Sequence, residues 1–283
     1  MPTWDDRVKR AEKLIESYPL SQEPLSFCRE VLLFQKGLYT SLSQDMDSEV
    51  DQSGGCPFHG GSISPKLPWL ATFFPSFLSL IKRVGTQELS QVAERLLSAA
   101  APDEWKRLLK LYWGRNLDPE DFQEGSALLF FPKAFLQPYA EVLADKHPQE
   151  LLDDGQQWRV RQGREAACPL CRRPPQLGIF RTEGEGAGRS LLCSLCASEW
   201  RYKRVCCPSC GEENFSKLSY HRASDFPHVR VEVCESCKKY IKSIDLTVDG
   251  HAVPVVDEVA TLPLDVWAVE RGYGKIEINL LGI

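Results

Sequence analysis

Nine of the eleven cysteines fall between residues 168 and 237, and eight of them form four pairs with one spacing: Cys168–Cys171, Cys193–Cys196, Cys207–Cys210 and Cys234–Cys237. Twenty-one residues separate the first pair from the second, and twenty-three separate the third from the fourth. A tight turn across two intervening residues aims both sulfurs at one point. Two such turns carried by a β-hairpin complete a tetrahedron around one ion, with sulfur ~2.3 Å from zinc and a similar shell for iron. The pattern therefore predicts one design used twice, a turn, a hairpin and a turn, with these eight cysteines as metal ligands. Pro169 and Pro208 stiffen two of the turns, and Gly211 suits a bend that needs positive φ. The pairs at 193 and 234 have neither aid; Ala197 and Lys238 follow them. The expected partition is sequential, 168/171/193/196 and 207/210/234/237, with an interleaved cross-brace as the alternative. Disulfides and an iron–sulfur cluster are the competing readings, but the ferredoxin-type run of close cysteines is missing.

Energetics and charge agree with metal. Residues 166–245 offer few large apolar side chains, and a segment that small gains little from core burial without a staple. A tetrathiolate ion supplies on the order of 10 kcal/mol of folding free energy. The same segment carries 13 basic and 9 acidic side chains, so its +4 offsets the −4 of eight thiolates and two divalent ions. The remainder of the chain is acidic, and no segment is strongly basic. The N-terminal "MPTWDDRVKR" has no apolar signal core. The most apolar stretch, residues 68–81, is shorter than the roughly 18 residues a bilayer crossing needs and contains Pro75. A cytoplasmic protein without membrane insertion is expected, and there a cysteine cluster means metal or redox work rather than structural disulfides.

The first half reads as helix. Val8, Ala11, Leu14, Ile15 and Tyr18 recur at helical spacing, as do Leu89, Val92, Ala93, Leu96, Leu97 and Ala100, and Trp105, Leu108, Leu109 and Tyr112. Thr3, and Asp118 before Pro119, are predicted N-caps. A long loop is expected over 43–66 and a last helix over 135–147. After 166 the pattern turns to short alternating runs, with Trp200 and Tyr202 in one and Val229, Val231 and Val233 in another, which predict strands. An apolar helix from about 254, broken or started near Pro263, and a final strand in "KIEINLL" complete the reading. The expected fold class is α+β, divided into a helical domain (1–150), a linker (151–165), two four-cysteine ribbons (166–203 and 204–246) and a C-terminal segment (247–283) packing on the helices or the ribbons.

Other candidates have blander readings. Cys206 precedes a predicted ligand and is read as a small buried filler of a strand, with a reactive thiol as the alternative. Cys56 and His59 mimic half a metal site but have no second half nearby, so an ordinary loop is expected. His221 and His228 are read as surface or hydrogen-bonded residues, because four sulfurs already fill each shell. Trp200 and Tyr202 are expected in the ribbon core.

The segments "CPLC" (168–171), "LLCSLCASEWRYKR" (191–204), "CCPSCGEEN" (206–214), "RVEVCESCKKYIK" (230–242) and the ending "NLLGI" (279–283) resemble the FdhE family, the formate dehydrogenase accessory (formation) proteins. The resemblance covers most of 166–283; over the helical half it is one of size and character. It implies a helical N-terminal part followed by two rubredoxin-like modules. It also implies iron bound through Cys168, Cys171, Cys193, Cys196, Cys207, Cys210, Cys234 and Cys237, and a cytoplasmic, non-enzymatic role in maturing respiratory formate dehydrogenase through contact with its molybdenum-containing catalytic subunit. A rubredoxin-type turn favours glycine after its second cysteine. Only Cys210 has one; Arg172, Ala197 and Lys238 stand at the other three places.

Three functions are weighed. An accessory protein with two Fe or Zn tetrathiolate sites fits the absence of a phosphate loop, an HExxH motif, a dinucleotide fingerprint and a Ser/His/Asp grouping. A redox-active electron carrier or redox sensor is the alternative. A zinc-ribbon nucleic-acid binder is the third, disfavoured because the metal-loaded ribbons sum to about zero charge where a basic stripe is required.

Overall fold

The computed structural model describes residues 2–47, 58, 66–98, 102–118, 126–146, 166–279 and 282. Cys56, His59, Pro119, Leu280 and Leu281, and with them the readings placed there, lie outside the described residues.

The helical half starts at α1 (Trp4–Ser17), where Thr3 and Asp6 form a reciprocal capping box: Asp6 N donates to Thr3 Oγ1 (3.2 Å) and Thr3 N to Asp6 Oδ2 (2.9 Å). Next come α2 (Gln22–Asp47), α3 (Leu67–Val84), α4 (Gln87–Ser98), α5 (Pro102–Trp113) and α6 (Ser126–Asp145). Helix α2 continues five residues into the stretch expected to be loop, and α6 begins nine residues before the predicted 135. The N-terminal extension of α6, "SALLFFPKA", is apolar nearly throughout, so it shows no amphipathic stripe. It forms a helix because α2, α3, α4 and α5 surround it, with Phe74, Phe77, Phe131 and Phe135 fully buried among them. Pro132 and Pro138 lie inside α6. Pro138 has no N–H for the carbonyl of Ala134 one turn back; Gln35 Nε2 of α2 donates to that carbonyl instead, at 2.6 Å.

The second half is one mixed sheet. Its strands are β1 (Pro175–Glu183), β2 (Gly186–Cys193), β3 (Glu199–Arg201), β4 (Leu218–His221), β5 (Val229–Cys234), β6 (Lys239–Asp245) and β7 (Gly274–Lys275), in the order β3-β2-β1-β6-β5-β4, with β7 also pairing β6. The first ribbon supplies the antiparallel hairpin β1–β2 between its turns; the second supplies β4–β5 between its turns and β6 after them, antiparallel to β5, and parallel pairing of Leu177–Phe180 with Lys242–Asp245 fuses the two ribbons. Gly178 lies opposite Ser243 at that seam, where a β-carbon would come 2.0 Å from Ser243 Oγ. The predicted strand in "KIEINLL" shrinks to β7, extended by one bond from Ile276 N to Tyr240 O (3.0 Å).

Two short helices follow the sheet, α7 (Pro254–Ala260) and α8 (Leu262–Glu270), divided at Thr261 beside Pro263. Helix α7 buries Val256, Val259 and Ala260 against Trp4, Val8, Leu14 and Leu25 of the helical half. Helix α8 sets Leu264 and Ala268 on Val229, Val233 and Tyr240 of the sheet. Between them lies an ionic cluster at most 4% exposed. Lys242 Nζ meets Asp265 and Glu258 (3.2 Å), and Lys275 Nζ meets Asp265 Oδ1 (2.8 Å) and Glu258. Two cations against two carboxylates leave no net charge, the condition under which such burial is tolerated. Among the described residues, no helix is long and apolar enough to cross a membrane.

Candidate metal centres

All four Cys-x-x-Cys turns take the same backbone shape. The residue after the second cysteine is left-handed in every one: Arg172 at φ 61°, Ala197 at 54°, Gly211 at 76° and Lys238 at 55°. Three non-glycine residues thus occupy a conformation that costs each about 1 kcal/mol, and the missing glycines do not alter the turn. Three of the turns are closed by N–H donation from Arg172 to Cys168 O (3.0 Å), Gly211 to Cys207 O (2.9 Å) and Lys238 to Cys234 O (2.9 Å). The N–H groups of Cys168, Cys193 and Cys207 are bound by Arg173 O, Ser198 O and Glu212 O, at 2.8–2.9 Å.

The turns meet in sequential pairs. Cys168, Cys171, Cys193 and Cys196 form one group and Cys207, Cys210, Cys234 and Cys237 the other, with ligand atoms in each within 4.8 Å of one another. The interleaved alternative is not the arrangement found. A tetrahedral site with ~2.3 Å metal–sulfur bonds has sulfur–sulfur edges of about 3.8 Å. In the second group Cys207–Cys237 is 3.8 Å and Cys210–Cys234 is 3.7 Å; in the first, Cys168–Cys196 is 3.6 Å and Cys171–Cys193 is 3.2 Å. None of the eight is in a disulfide. Donor type, number and spacing all fit a zinc or ferrous ion, and sulfur ligands accept either.

The surroundings of the two groups differ. The first is buried throughout and belongs to the apolar core of the helical half, packed with residues such as Leu109, Tyr112 and Leu136. Three contacts tie its turns to the helical half: Arg115, just past the end of α5, donates from Nη1 to Arg172 O (3.2 Å); Gln137 of α6 donates from Nε2 to Ser194 O (3.1 Å); and the guanidinium of Arg173, beside the first turn, lies 4.2 Å over Tyr112 of α5 while donating to its carbonyl. Burial pushes the thiols of Cys168, Cys171 and Cys196 well up. Burial opposes the Cys193 thiolate too, but donation from the other three thiols and from Leu195 N–H (3.4 Å) prevails and lowers its pKa. The second group keeps Cys210 and Cys237 partly exposed. Its own cross-tie is Glu212, whose carboxylate accepts from Ser236 Oγ (2.6 Å) and Asn214 N (3.0 Å); these bonds, Ser236 first, hold it down to about 2. Burial raises the Cys207 thiol.

The remaining candidates are not brought to either group. Cys206 is buried but lies outside any strand, its sulfur 3.4 Å from Tyr202 Oη, and burial raises its thiol. The His221 ring lies against Trp267, tilted by 49° with centroids 4.7 Å apart. His228 Nε2 lies 2.9 Å from Asp257 Oδ1, and with Asp249 these form a third group of potential ligands. There the Arg10 guanidinium already fills the cation's place, bidentate to Asp257 and 2.9 Å from Asp249. Cys28 sits in the core between α1, α2 and α7. Arg173 is legible from sequence as one of the cations within a few residues of a cysteine pair, whereas Arg115 and Gln137 are not, because they lie at polar positions in or beside ordinary helices and nothing local distinguishes them.

The family pattern described as "FdhE, central domain" matches residues 167–204, and "FdhE, C-terminal domain" matches 203–281. A protein FdhE homolog of Aquifex aeolicus is 30% identical over 282 residues, spanning 97% of this chain and 94% of that one. One from Pectobacterium atrosepticum is 25% identical over 98% of this chain and 86% of its own length. The crystal structure of the FdhE protein from Pseudomonas aeruginosa superimposes with a TM-score of 0.66 at 23% identity, covering 99% of this chain and 96% of that one, and so shares the fold. With near-complete alignment to the Aquifex relative and both four-cysteine groups inside the matched patterns, this chain belongs to the FdhE family.

Proposed function

We propose that this chain is a cytoplasmic accessory protein in the maturation of formate dehydrogenase, and that its two four-sulfur groups each hold one zinc or iron ion that fixes a docking platform for the enzyme's catalytic subunit. The observation that carries the reading is the closed donor set. Four cysteines surround each centre, so a bound ion has no open position for substrate or water and acts as a cross-link. Cys168, Cys171, Cys193 and Cys196 would hold one ion, and Cys207, Cys210, Cys234 and Cys237 the other; each would lock two turns and the hairpin between them. The link to formate dehydrogenase is what the resemblance to the formate dehydrogenase accessory proteins implies, and membership of the FdhE family supports it.

The test is capture of the catalytic subunit by tagged wild type and by Cys207→Ser, with elemental analysis of anaerobically purified protein. Wild type is expected to carry two metal equivalents; Cys207→Ser loses one and captures less partner. Undiminished capture by Cys207→Ser ends the platform reading. Partial exposure of Cys210 and Cys237 supports a second reading, in which iron at that site exchanges one electron with the surroundings. A visible spectrum that stays the same on mild oxidation, or carries no iron absorption, rules that out.

A further inference from the structure

Three successive carbonyls at the second centre, those of Cys206, Cys207 and Pro208, all accept hydrogen bonds from residues of the first ribbon. Arg189 Nη1 donates to Cys206 O (3.0 Å), Tyr202 Oη to Cys207 O (3.4 Å) and Ala166 N to Pro208 O (2.7 Å). Each donor is tied to the first centre. Ala166 lies two residues before Cys168, Arg189 lies on β2 four residues before Cys193, and Tyr202 N is bound by Arg189 O (2.9 Å). Arg189 is the hub. Its side chain is 1% exposed, its guanidinium lies 5.4 Å from the Tyr202 ring, and it also donates to Lys203 O (2.9 Å). Its Nη2 reaches Glu232 Oε2 (2.6 Å) on β5, two residues before Cys234. One buried cation from the first ribbon thus touches both flanks of the second centre, next to Cys207 and near Cys234. The first centre's turns, by contrast, are held from the helical half.

We infer that the two metal centres are coupled in a hierarchy, and that Arg189, with Tyr202 and Ala166, is the positioning element through which an ion in the first centre tightens binding in the second. The inference rests on reading both sulfur groups as metal sites. With the first ion in place, the ends of β2 and the Cys168 turn are fixed, and the three donors hold the Cys206–Pro208 backbone in the shape that presents Cys207. Without it those donors lose their anchor, and the second ion must order the turn itself. Residues outside the ligand shell that orient ligands typically alter metal affinity 10- to 100-fold, and couplings between sites run from about 5- to 150-fold. By linkage the equilibrium effect is reciprocal: emptying the second centre weakens the first by the same factor.

The experiment uses the full chain loaded with Zn²⁺ and a chromophoric chelator in excess, following release with time. Wild type is expected to hold two equivalents. Cys207→Ser retains the first site alone and assigns its phase. In Cys171→Ser the remaining second site is expected to release at least fivefold faster than in wild type. Tyr202→Phe, which removes one hydroxyl, and the paired change Arg189→Met with Glu232→Gln, which leaves no unpaired buried charge, are expected to speed release from the second site; the first-site phase, which follows once the second site is empty, is expected to stay at the Cys207→Ser rate. In the Arg189→Met, Glu232→Gln background, adding Cys171→Ser is expected to have a smaller effect on the second site than it has alone. Second-site release at the wild-type rate in the Tyr202→Phe and Arg189→Met, Glu232→Gln proteins overturns the coupling, even if Cys171→Ser fails to fold. Wild type holding no zinc instead overturns the metal reading beneath it, so the two failures are distinct.

Discussion

The first and second sulfur groups share ligand type, turn shape and spacing, yet one lies inside the helical core and the other stands at its edge. The first has no exposed ligand and is gripped by Arg115, Gln137 and Arg173 against α5 and α6. The second leaves Cys210 and Cys237 partly open and leans on the first ribbon. The same local motif therefore stands in two settings: a cross-link at the first group would be part of the main core, and one at the second would tie β4–β5 and β6 outside it. The difference lies in what packs around the motif rather than in the motif.

The largest test of that contrast is to remove one ligand from each. Cys171→Ser is expected to forfeit metal-linked folding free energy on the order of 10 kcal/mol and to disturb the helical half, seen as loss of the cooperative helical transition in thermal circular dichroism. Cys210→Ser should lose one ion by elemental analysis and keep that transition. Equal damage to the helices from both would break the comparison. Next, Lys242→Met leaves Glu258 and Asp265 with Lys275 as their one cation in the interior that joins α8 to β6, so one buried carboxylate is uncompensated, at a cost of about 3–5 kcal/mol read from denaturant midpoints. Metal content should stay at two equivalents, which separates sheet–helix cohesion from the ion sites.

Acid sharpens the same division. Burial opposes ionisation of Glu258, but Lys242 and Lys275 outweigh it and lower its pKa to about 2. The folded value lies below the unfolded one of about 4.3, so the stability it contributes is complete above that pH and is lost as pH falls toward 2. The thiols of Cys168, Cys171, Cys196 and Cys207 are raised, so protons compete with an ion at both sites and affinity should climb with pH. A chelator titration at several pH values, beside urea unfolding at the same values, checks both slopes. The smallest effects come last. Lys238→Gly relieves a left-handed lysine in the second group and should change stability by no more than about 1 kcal/mol. Cys28→Ser should leave metal content untouched, since that thiol, which burial holds up at about 12, lies in the core between α1, α2 and α7 and in neither sulfur group.

Much of this was readable before the structure. Spacing alone picked the eight sulfurs that converge, because a Cys-x-x-Cys turn is made by local backbone geometry. Helical periodicity found α1, α4 and α5, and alternation found β5, whose Val229, Val231 and Val233 all point inward. Local signals failed where neighbours decide the outcome. Helix α6 is apolar on every side and carries two prolines, so periodicity could not place its start. The "KIEINLL" run alternates like a strand but is diverted after β7: Asn279 Nδ2 donates to Glu258 (2.8 Å), and the Ile278 carbonyl accepts from Lys133 (2.5 Å).

The sequence by itself determined which atoms are available to bind, how each turn bends, and where helices give way to strands, since all of these depend on residues a few positions apart. Only the tertiary structure decided that the ribbons share one sheet at Gly178 and Ser243, that one sulfur group is sealed under the helices, and that Arg189 reaches the other. Those outcomes hang on contacts between distant segments, whose strength comes from burial and fit that no short window of sequence contains.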